Sequence, residues 1–171
     1  MKGIKFFKII LINIIFSLYF TPFLFSKEFN GKARVIDGDT IKIKNVNIRL
    51  FGIDAPEIKQ SCKKIYLSIS IFNFQKEYDC GKVSKKALSK KIQNKEIRCV
   101  SSTKDRYGRH IGICYLKDRD INKWLVRNGY AVAYKKYSKK YVFEEKYANE
   151  NKLGLWRGSF MRPEKWRGIS N

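Results

Sequence analysis

The sequence predicts an α+β domain that is mainly β, in which five strands form a barrel and about three helices pack around it. Short runs rich in Val, Ile and Thr alternate with polar residues, and turn residues separate them. Segments with helical spacing follow the third and the fifth of these runs. The length of 171 residues predicts one domain, and the 44% hydrophobic content is enough for a core.

Five segments have the alternating pattern of strands. Three follow one another with a turn at Asp37-Gly38, and two more flank a turn at Asp105. They are ARVIDG, DTIKIKN and VNIRLFGI in the first group and EIRCV and HIGICYL in the second. In the second segment Ile41 and Ile43 share one face, and lysines occupy the other.

Three segments have the spacing of helices. The first places Val83, Ala87, Leu88 and Ile92 on one face. The second begins at Asp120, which caps it, and ends at Gly129. The third begins with Ser138 as its N-cap and closes at Gly154. Five strands with a helix between the third and the fourth are the arrangement of an OB-type barrel.

The N-terminal segment is predicted to lie outside this domain. Lysines precede an uncharged run of 17 residues from Ile9 to Phe25, and Ser26 offers a cleavage position. An uncleaved anchor is the alternative, because Leu24 is larger than a cleavage site prefers. We therefore expect a signal peptide or anchor over residues 1–26 and one domain over residues 27–171. The protein would be secreted or periplasmic, with membrane contact only if the segment is retained.

Four cysteines belong to the exported part, and an even number in an oxidising compartment predicts disulfides. Zinc is disfavoured, because the chain has no closely spaced cysteine pair and a single histidine. Of the three possible pairings, we favour Cys99–Cys114, since both are equally far from the predicted turn. Cys62 then pairs with Cys80. This bond would tie the ends of residues 59–80, which have no clean period and are predicted to be a long loop.

The charge balance predicts a polyanionic partner. There are 37 Lys and Arg residues against 15 Asp and Glu, a net charge of +22. Self-repulsion of this size weakens a compact state, so it typically accompanies a nucleic acid or an acidic surface. A basic surface with no specific partner is the alternative that charge alone leaves open.

Three segments combine the residue types that phosphodiester hydrolysis needs. They are IDGDT at 36–40, RLFGIDAPE at 49–57 and DRYGR at 105–109. A hard cation prefers carboxylate and carbonyl oxygens, a carboxylate must orient or deprotonate a water, and guanidinium groups fit the phosphate. Each segment alone could be only a turn or a strand end. Together, and in so basic a chain, they predict a catalytic centre.

The segments VIDGDT, IRLFGIDAPE and DRYGRHIG resemble the signature blocks of the staphylococcal nuclease (thermonuclease) family, in family order, and the similarity extends from about Phe29 to Trp156. The resemblance implies a calcium ion bound by two aspartates and one main-chain carbonyl. It also implies a glutamate that acts on the water and two arginines that hold the phosphate. The matching residues are Asp39, Asp54 and Ala55 for calcium, Glu57 for the water, and Arg49 and Arg109 for the phosphate.

Two tyrosines are weaker candidates for substrate binding. Tyr107 lies beside the predicted arginine clamp and could stack on a base or simply pack in the hairpin. Tyr134 resembles the family's tyrosine near the nucleotide. We therefore expect a monomeric, calcium-dependent nuclease that acts on DNA and RNA and has no stable protein partner. The family resemblance implies that its products end in 3′-phosphate. The alternatives are a non-catalytic nucleic-acid-binding or interaction module of OB fold, and a membrane-anchored adhesin or structural protein.

Overall fold

The computed structural model describes residues 26–170, so the predicted signal or anchor segment, up to residue 25, lies outside the described part of the chain. The strands are β1 (Lys27–Val35), β2 (Thr40–Ile43), β3 (Val46–Leu50), β4 (Ile53–Asp54), β5 (Cys62–Ile69), β6 (Phe72–Tyr78), β7 (Glu96–Lys104), β8 (His110–Leu116), β9 (Arg119–Asp120), β10 (Val132–Ala133) and β11 (Gly158–Ser159). The helices are α1 (Cys80–Ile92), α2 (Ile121–Arg127), α3 (Val142–Glu150) and α4 (Pro163–Ser170), with a 3-10 turn at Gly154–Arg157.

Five strands close into a barrel, as the sequence predicts. The neighbours run in the order β3, β2, β1, β7 and β8, all antiparallel, and β8 then pairs with β3 in parallel. Because β3 and β8 run in the same direction, the turn before β8 lies near the start of β3. His110 is the partner of Ile48, and Ile111 is the partner of Arg49. This closure confirms the mainly β, OB-type architecture.

The barrel interior is filled by the apolar side chains of alternate strand positions. Ile41 and Ile43 are buried, as their shared face predicts, and they lie beside a second such pair, Ile48 and Leu50. Helix α1 contributes Leu88 and Ile92 to the same core, and α2 contributes Ile121 and Leu125.

A buried amide joins α2 to the barrel. Asn122 donates from Nδ2 to the carbonyls of Phe51 (3.0 Å) and Gly112 (3.2 Å), and its Oδ1 accepts from the backbone N–H of Cys114 (3.2 Å). One side chain thus makes hydrogen bonds to three backbone groups, two on β8 and one directly after β3, which an apolar residue could not do. Asp120 caps α2 as predicted, because its carboxylate accepts from the N–H of Lys123 at 2.8 Å.

Helix predictions near the C-terminus need two corrections. The third helix spans Val142–Glu150, so it begins after Tyr141 rather than Ser138 and ends before Gly154, where a separate 3-10 turn starts. The Ser138 hydroxyl instead accepts from the N–H of Lys140 in the preceding turn. Tyr141 is buried and donates to Asp120 (2.9 Å), which fixes the position of the first helical turn. A fourth helix, α4, was not predicted, although Pro163 at its first position is a typical helix start.

Residues 59–80 contain a β-hairpin, so the prediction of a long loop here is wrong. Strands β5 and β6 pair in register from Cys62 opposite Tyr78 to Ile69 opposite Phe72, with a bulge at Tyr66. Most of its side chains are exposed, including the apolar ones. The pattern was missed because strands in solvent have no buried face to impose a polar–apolar alternation.

Both predicted disulfides are present. Cys62 is bonded to Cys80 at the base of the hairpin, and Cys99 to Cys114 between β7 and β8, where the two residues face each other in register. No cysteine of the described chain is free. In residues 26–170 there is also no helix that is both long enough and apolar enough to cross a membrane.

Removing the barrel disulfide should destabilise the domain. Cys99 and Cys114 are fully buried and close a sequence separation of 15 residues. The double variant Cys99→Ala/Cys114→Ala should lose about 2–4 kcal/mol of unfolding free energy, since the cross-link no longer restricts the unfolded chain. Urea unfolding measures the loss. A decrease under about 1 kcal/mol would show that the bond is dispensable to the barrel.

Candidate active site

The turn after β1 holds the first predicted metal ligand. Asp37 accepts the backbone N–H of Asp39 at 3.0 Å, which tightens the turn. The carboxylate of Asp39 is buried and accepts the Thr40 hydroxyl (3.2 Å) with Oδ1 and the backbone N–H of Ala55 (2.8 Å) with Oδ2. Asp39 is therefore fixed against the turn that carries the second set of acids.

Arg49 connects two acidic residues. It lies on β3 opposite Thr40, on the strand face that points away from the buried Ile48 and Leu50. Its guanidinium donates through Nη1 to Asp39 and through Nη2 to Asp54, the latter at 2.8 Å. The two predicted calcium ligands thus accept hydrogen bonds from the same guanidinium group, although they are 15 residues apart in sequence.

Asp54 is the most buried acid of the site. Its side chain has no solvent exposure, and its backbone pairs with Val132 in the short β4–β10 ladder. Burial raises the pKa of Asp54 to about 6, although Arg167 and Arg49 lower this pKa. Burial, and then the charge of Asp39, raise the pKa of Asp37 to about 6 as well.

Glu57 lies at the edge of this cluster and is about a third exposed. Its backbone is fixed by Gln60, which donates its own N–H to the Glu57 carbonyl (2.8 Å) and accepts the Glu57 N–H with its side-chain oxygen (3.3 Å). Gly81 at the start of α1 packs so tightly on this turn that a Cβ would lie 1.8 Å from the Glu57 carbonyl oxygen. A partly solvated carboxylate on a rigid turn can accept a proton from water.

Arg167 was not predicted as a site residue from the sequence. From α4 it donates to both carboxylate oxygens of Asp54, through Nη1 at 3.0 Å and Nη2 at 2.9 Å. Nη1 also donates to Glu57 at 2.8 Å. Among 37 basic residues, no local pattern distinguishes this one, because its role depends on where α4 packs.

Arg109 is held in its own turn and has no contact with the carboxylate cluster. Its Nε donates to Asp105 at 2.7 Å, and Asp105 also accepts the backbone N–H groups of Tyr107 and Arg109. Arg109 directly precedes β8, whose Ile111 is the partner of Arg49, so strand alternation places both arginines on the outer face of the barrel. Tyr107 is exposed, and its ring lies 5.4 Å from the Arg109 guanidinium carbon.

Tyr134 lies close to the acidic cluster. Its backbone N–H donates to the carbonyl of Gly52 (2.9 Å), and its ring packs edge-on against Tyr137, with centroids 4.8 Å apart. Burial and the charge of Asp54 raise the pKa of the Tyr134 phenol, so it stays protonated at neutral pH. This position is compatible with a substrate contact.

The donor set suits an oxygen-seeking cation. Asp39, Asp54 and Glu57 place three carboxylates against the two guanidinium groups of Arg49 and Arg167, which leaves a net negative charge in a strongly basic protein. Within residues 26–170, no group of three or more His, Cys, Asp or Glu side chains is arranged to enclose a metal ion. Carboxylate oxygens are ligands of hard divalent cations, so Asp39 and Asp54 are the residues that could hold such an ion.

Comparison with known proteins identifies the class to which this barrel and its acidic cluster belong. The family described as "Staphylococcal nuclease homologue" matches residues 47–158. The succinoglycan biosynthesis protein ExoI of Rhizobium meliloti (strain 1021) is 37% identical over 130 residues, covering 74% of this chain and 64% of that protein. An uncharacterized endonuclease of Haemophilus influenzae is 32% identical over 143 residues, covering 79% of this chain and 70% of the relative.

A further uncharacterized endonuclease, from Escherichia coli O157:H7, is 31% identical over 152 residues, covering 85% of this chain and 88% of the relative. The matched family range includes the Arg49–Glu57 segment and the Asp105–Arg109 turn. The chain belongs to the staphylococcal nuclease family.

Proposed function

We propose that the protein is a calcium-dependent nuclease that hydrolyses phosphodiester bonds of DNA and RNA and leaves 3′-phosphate products. The observation that carries this proposal is the pair of buried aspartates, Asp39 and Asp54, joined by Arg49 beside the partly solvated Glu57. The family and the relatives named endonucleases support hydrolysis of nucleic acid. The carboxylate oxygens and the strongly basic chain support the cation and the polyanionic substrate.

Each residue has a role that its surroundings favour. Asp39, Asp54 and the main-chain carbonyl of Ala55 would hold calcium, which when bound neutralises charge on the phosphoryl oxygens. Glu57 positions a water and accepts its proton, since it is the cluster's solvent-accessible carboxylate. Arg49 and Arg109 donate to the phosphoryl oxygens, where charge increases in the transition state.

The surrounding features support binding of substrate outside the cytoplasm. Tyr107 and Tyr134 are positioned for contact with bases or sugars, beside Arg109 and near Asp54 respectively. Two disulfides are typical of a secreted or periplasmic protein. The competing function, a binding module without catalysis, gives no reason for burying Asp39 and Asp54, because carboxylates repel a polyanion.

Loss of the Asp54 charge should abolish cation binding and catalysis together. Asp54→Asn keeps the side-chain shape but removes a charged ligand, so calcium affinity and cleavage rate should each fall at least a hundredfold. Affinity for DNA in the presence of a chelator should hardly change, since the basic surface provides it. Calorimetric titration and cleavage assays measure the two effects. Asp118→Asn, an exposed acid in the β8–β9 turn, is the control. Wild-type cleavage by Asp54→Asn would refute the metal assignment.

Replacement of Arg109 should separate catalysis from binding. Arg109→Lys keeps the charge but loses the planar fork, so single-turnover cleavage should slow by about a hundredfold to a thousandfold while DNA affinity falls little. Arg106→Lys makes the same change in the same turn, where the side chain lies over the Tyr107 ring, and should leave cleavage unaffected. Equal losses of rate and affinity in Arg109→Lys would mean that Arg109 only tethers the substrate.

A further inference from the structure

Helix α4 brings an arginine to the position that a cation would need. Arg167 donates through Nη1 and Nη2 to the two carboxylate oxygens of Asp54, at 3.0 and 2.9 Å, and its Nη1 also donates to Glu57 at 2.8 Å. It lies beyond residues 47–158, which match the family. The pKa of Arg167 stays above its ordinary value, because the charges of Asp54 and Glu57 outweigh the effect of burial.

We propose that Arg167 is an internal counter-ion of Asp54 and Glu57 and that a divalent cation must displace it from them. This inference rests on the proposed function, which assigns the cation to Asp54. Of the four lone-pair directions of the Asp54 carboxylate, Arg49 and Arg167 together occupy three. A guanidinium within 3 Å of these oxygens also repels a divalent ion.

The attachment of α4 permits such a displacement. Pro163 is the only fully buried residue of α4, and Trp166 is partly buried, so moving the helix exposes part of one indole ring and little other apolar surface. The segment before it is held firmly: Arg162 donates to Glu145 (2.8 Å) and to the Ala133 carbonyl (2.9 Å), and Met161 accepts from Gln60 (2.7 Å). The chain can pivot after Arg162 while the rest of the domain stays in place, and within the described residues this movement breaks only one further ion pair of α4, that of Glu164 with Arg162 (3.0 Å).

Calcium titration of the full chain in the absence of nucleic acid tests this inference. Arg167→Gln removes the charge and the fork, and should bind calcium roughly tenfold or more tightly than the wild type. Lys165→Gln removes the same charge from the same helix, where its side chain has no ion pair with the cluster, and should change the affinity little. Hydrogen exchange of the wild type should show faster exchange in residues 163–170 when calcium is added.

The outcomes separate this inference from the proposed function. Equal or weaker calcium binding by Arg167→Gln, with hydrogen exchange in α4 unaffected by calcium, would overturn the counter-ion and leave the calcium site standing. An absence of calcium binding in both the wild type and Arg167→Gln would overturn the proposed cofactor and the counter-ion together. Binding by the variant alone would support displacement most strongly.

The β5–β6 hairpin has an apolar tip that is exposed to solvent. From Ile65 to Gln75 it has no charged residue, although 30% of the chain is charged. One face carries the cross-strand pairs Ile69–Phe72 and Leu67–Phe74, all exposed to solvent, and Ile71 in the turn is 84% exposed. The hairpin is tied at its base by the Cys62–Cys80 bond.

Lysines continue the apolar face of the hairpin toward its base. There the next pair in register is Lys64 opposite Lys76, whereas on the other face Lys63 lies opposite Glu77. Like charges directly opposite each other destabilise a strand pair, so the lysine pair favours an anionic partner. A lipid interface with acidic headgroups accommodates this arrangement, in which apolar residues form the tip and paired cations lie directly behind them.

We infer that this hairpin inserts its tip into an anionic membrane surface. The span from Leu67 to the turn is about 10 Å, which is the depth of the interfacial region. The Ser68 hydroxyl donates to Asn73 at 2.6 Å, so the polar pair on the other face is partly satisfied within the hairpin. No cation lies between Ile65 and Gln75, which favours lipid over stacked bases, because a base-stacking surface would have aromatic rings interleaved with cations.

A tryptophan in the hairpin tip gives a local test in the full chain. Emission of Phe72→Trp should shift to the blue and be quenched by brominated lipid in vesicles containing phosphatidylglycerol, but not in phosphatidylcholine vesicles. Phe143→Trp, at an exposed position on α3, should not respond. An unchanged signal would refute the inference. So would a shift caused by a single-stranded oligonucleotide, or by protein concentration alone, which would indicate nucleic-acid contact or self-association.

Discussion

The site depends on the guanidinium group of Arg49, which donates hydrogen bonds to both Asp39 and Asp54. Two carboxylates this deeply buried repel each other. Arg49 places a positive charge between them and fixes their separation. The backbone N–H of Ala55 donates to Oδ2 of Asp39, the oxygen that Arg49 does not contact. A net negative pocket can therefore persist inside a chain of charge +22.

The barrel supplies the rigidity that this arrangement requires. Arg49 lies on a strand with hydrogen-bonded neighbours on both sides, β2 and β8, so its backbone cannot shift independently of the sheet. Asp54 is held by the pairing with Val132, and the Glu57 turn packs against the start of α1. Preorganised charges of this kind cost little reorganisation during the reaction, which is the main way that enzymes of this chemistry accelerate it.

Local sequence patterns predict the features that depend on neighbouring residues. Alternation at Ile41 and Ile43 predicts the barrel strands, and the equal spacing of Cys99 and Cys114 about a turn predicts their disulfide. The family resemblance places Asp39, Arg49 and Asp54 together. Arg167 was not predictable, because its contact with Asp54 bridges 113 residues and depends on the packing of α4. The hairpin was missed because its apolar side chains face solvent rather than a core.

The proposed reaction is hydrolysis of a phosphodiester bond by the acidic cluster once it holds calcium. Mass spectrometry of a single-stranded oligonucleotide incubated with the full chain tests it most directly, in calcium and in chelator. We expect fragments that end in 3′-phosphate, with the released strand bearing a 5′-hydroxyl, and only when calcium is present. An oligonucleotide that binds tightly but remains intact in calcium would contradict the account and identify the barrel as a binding module.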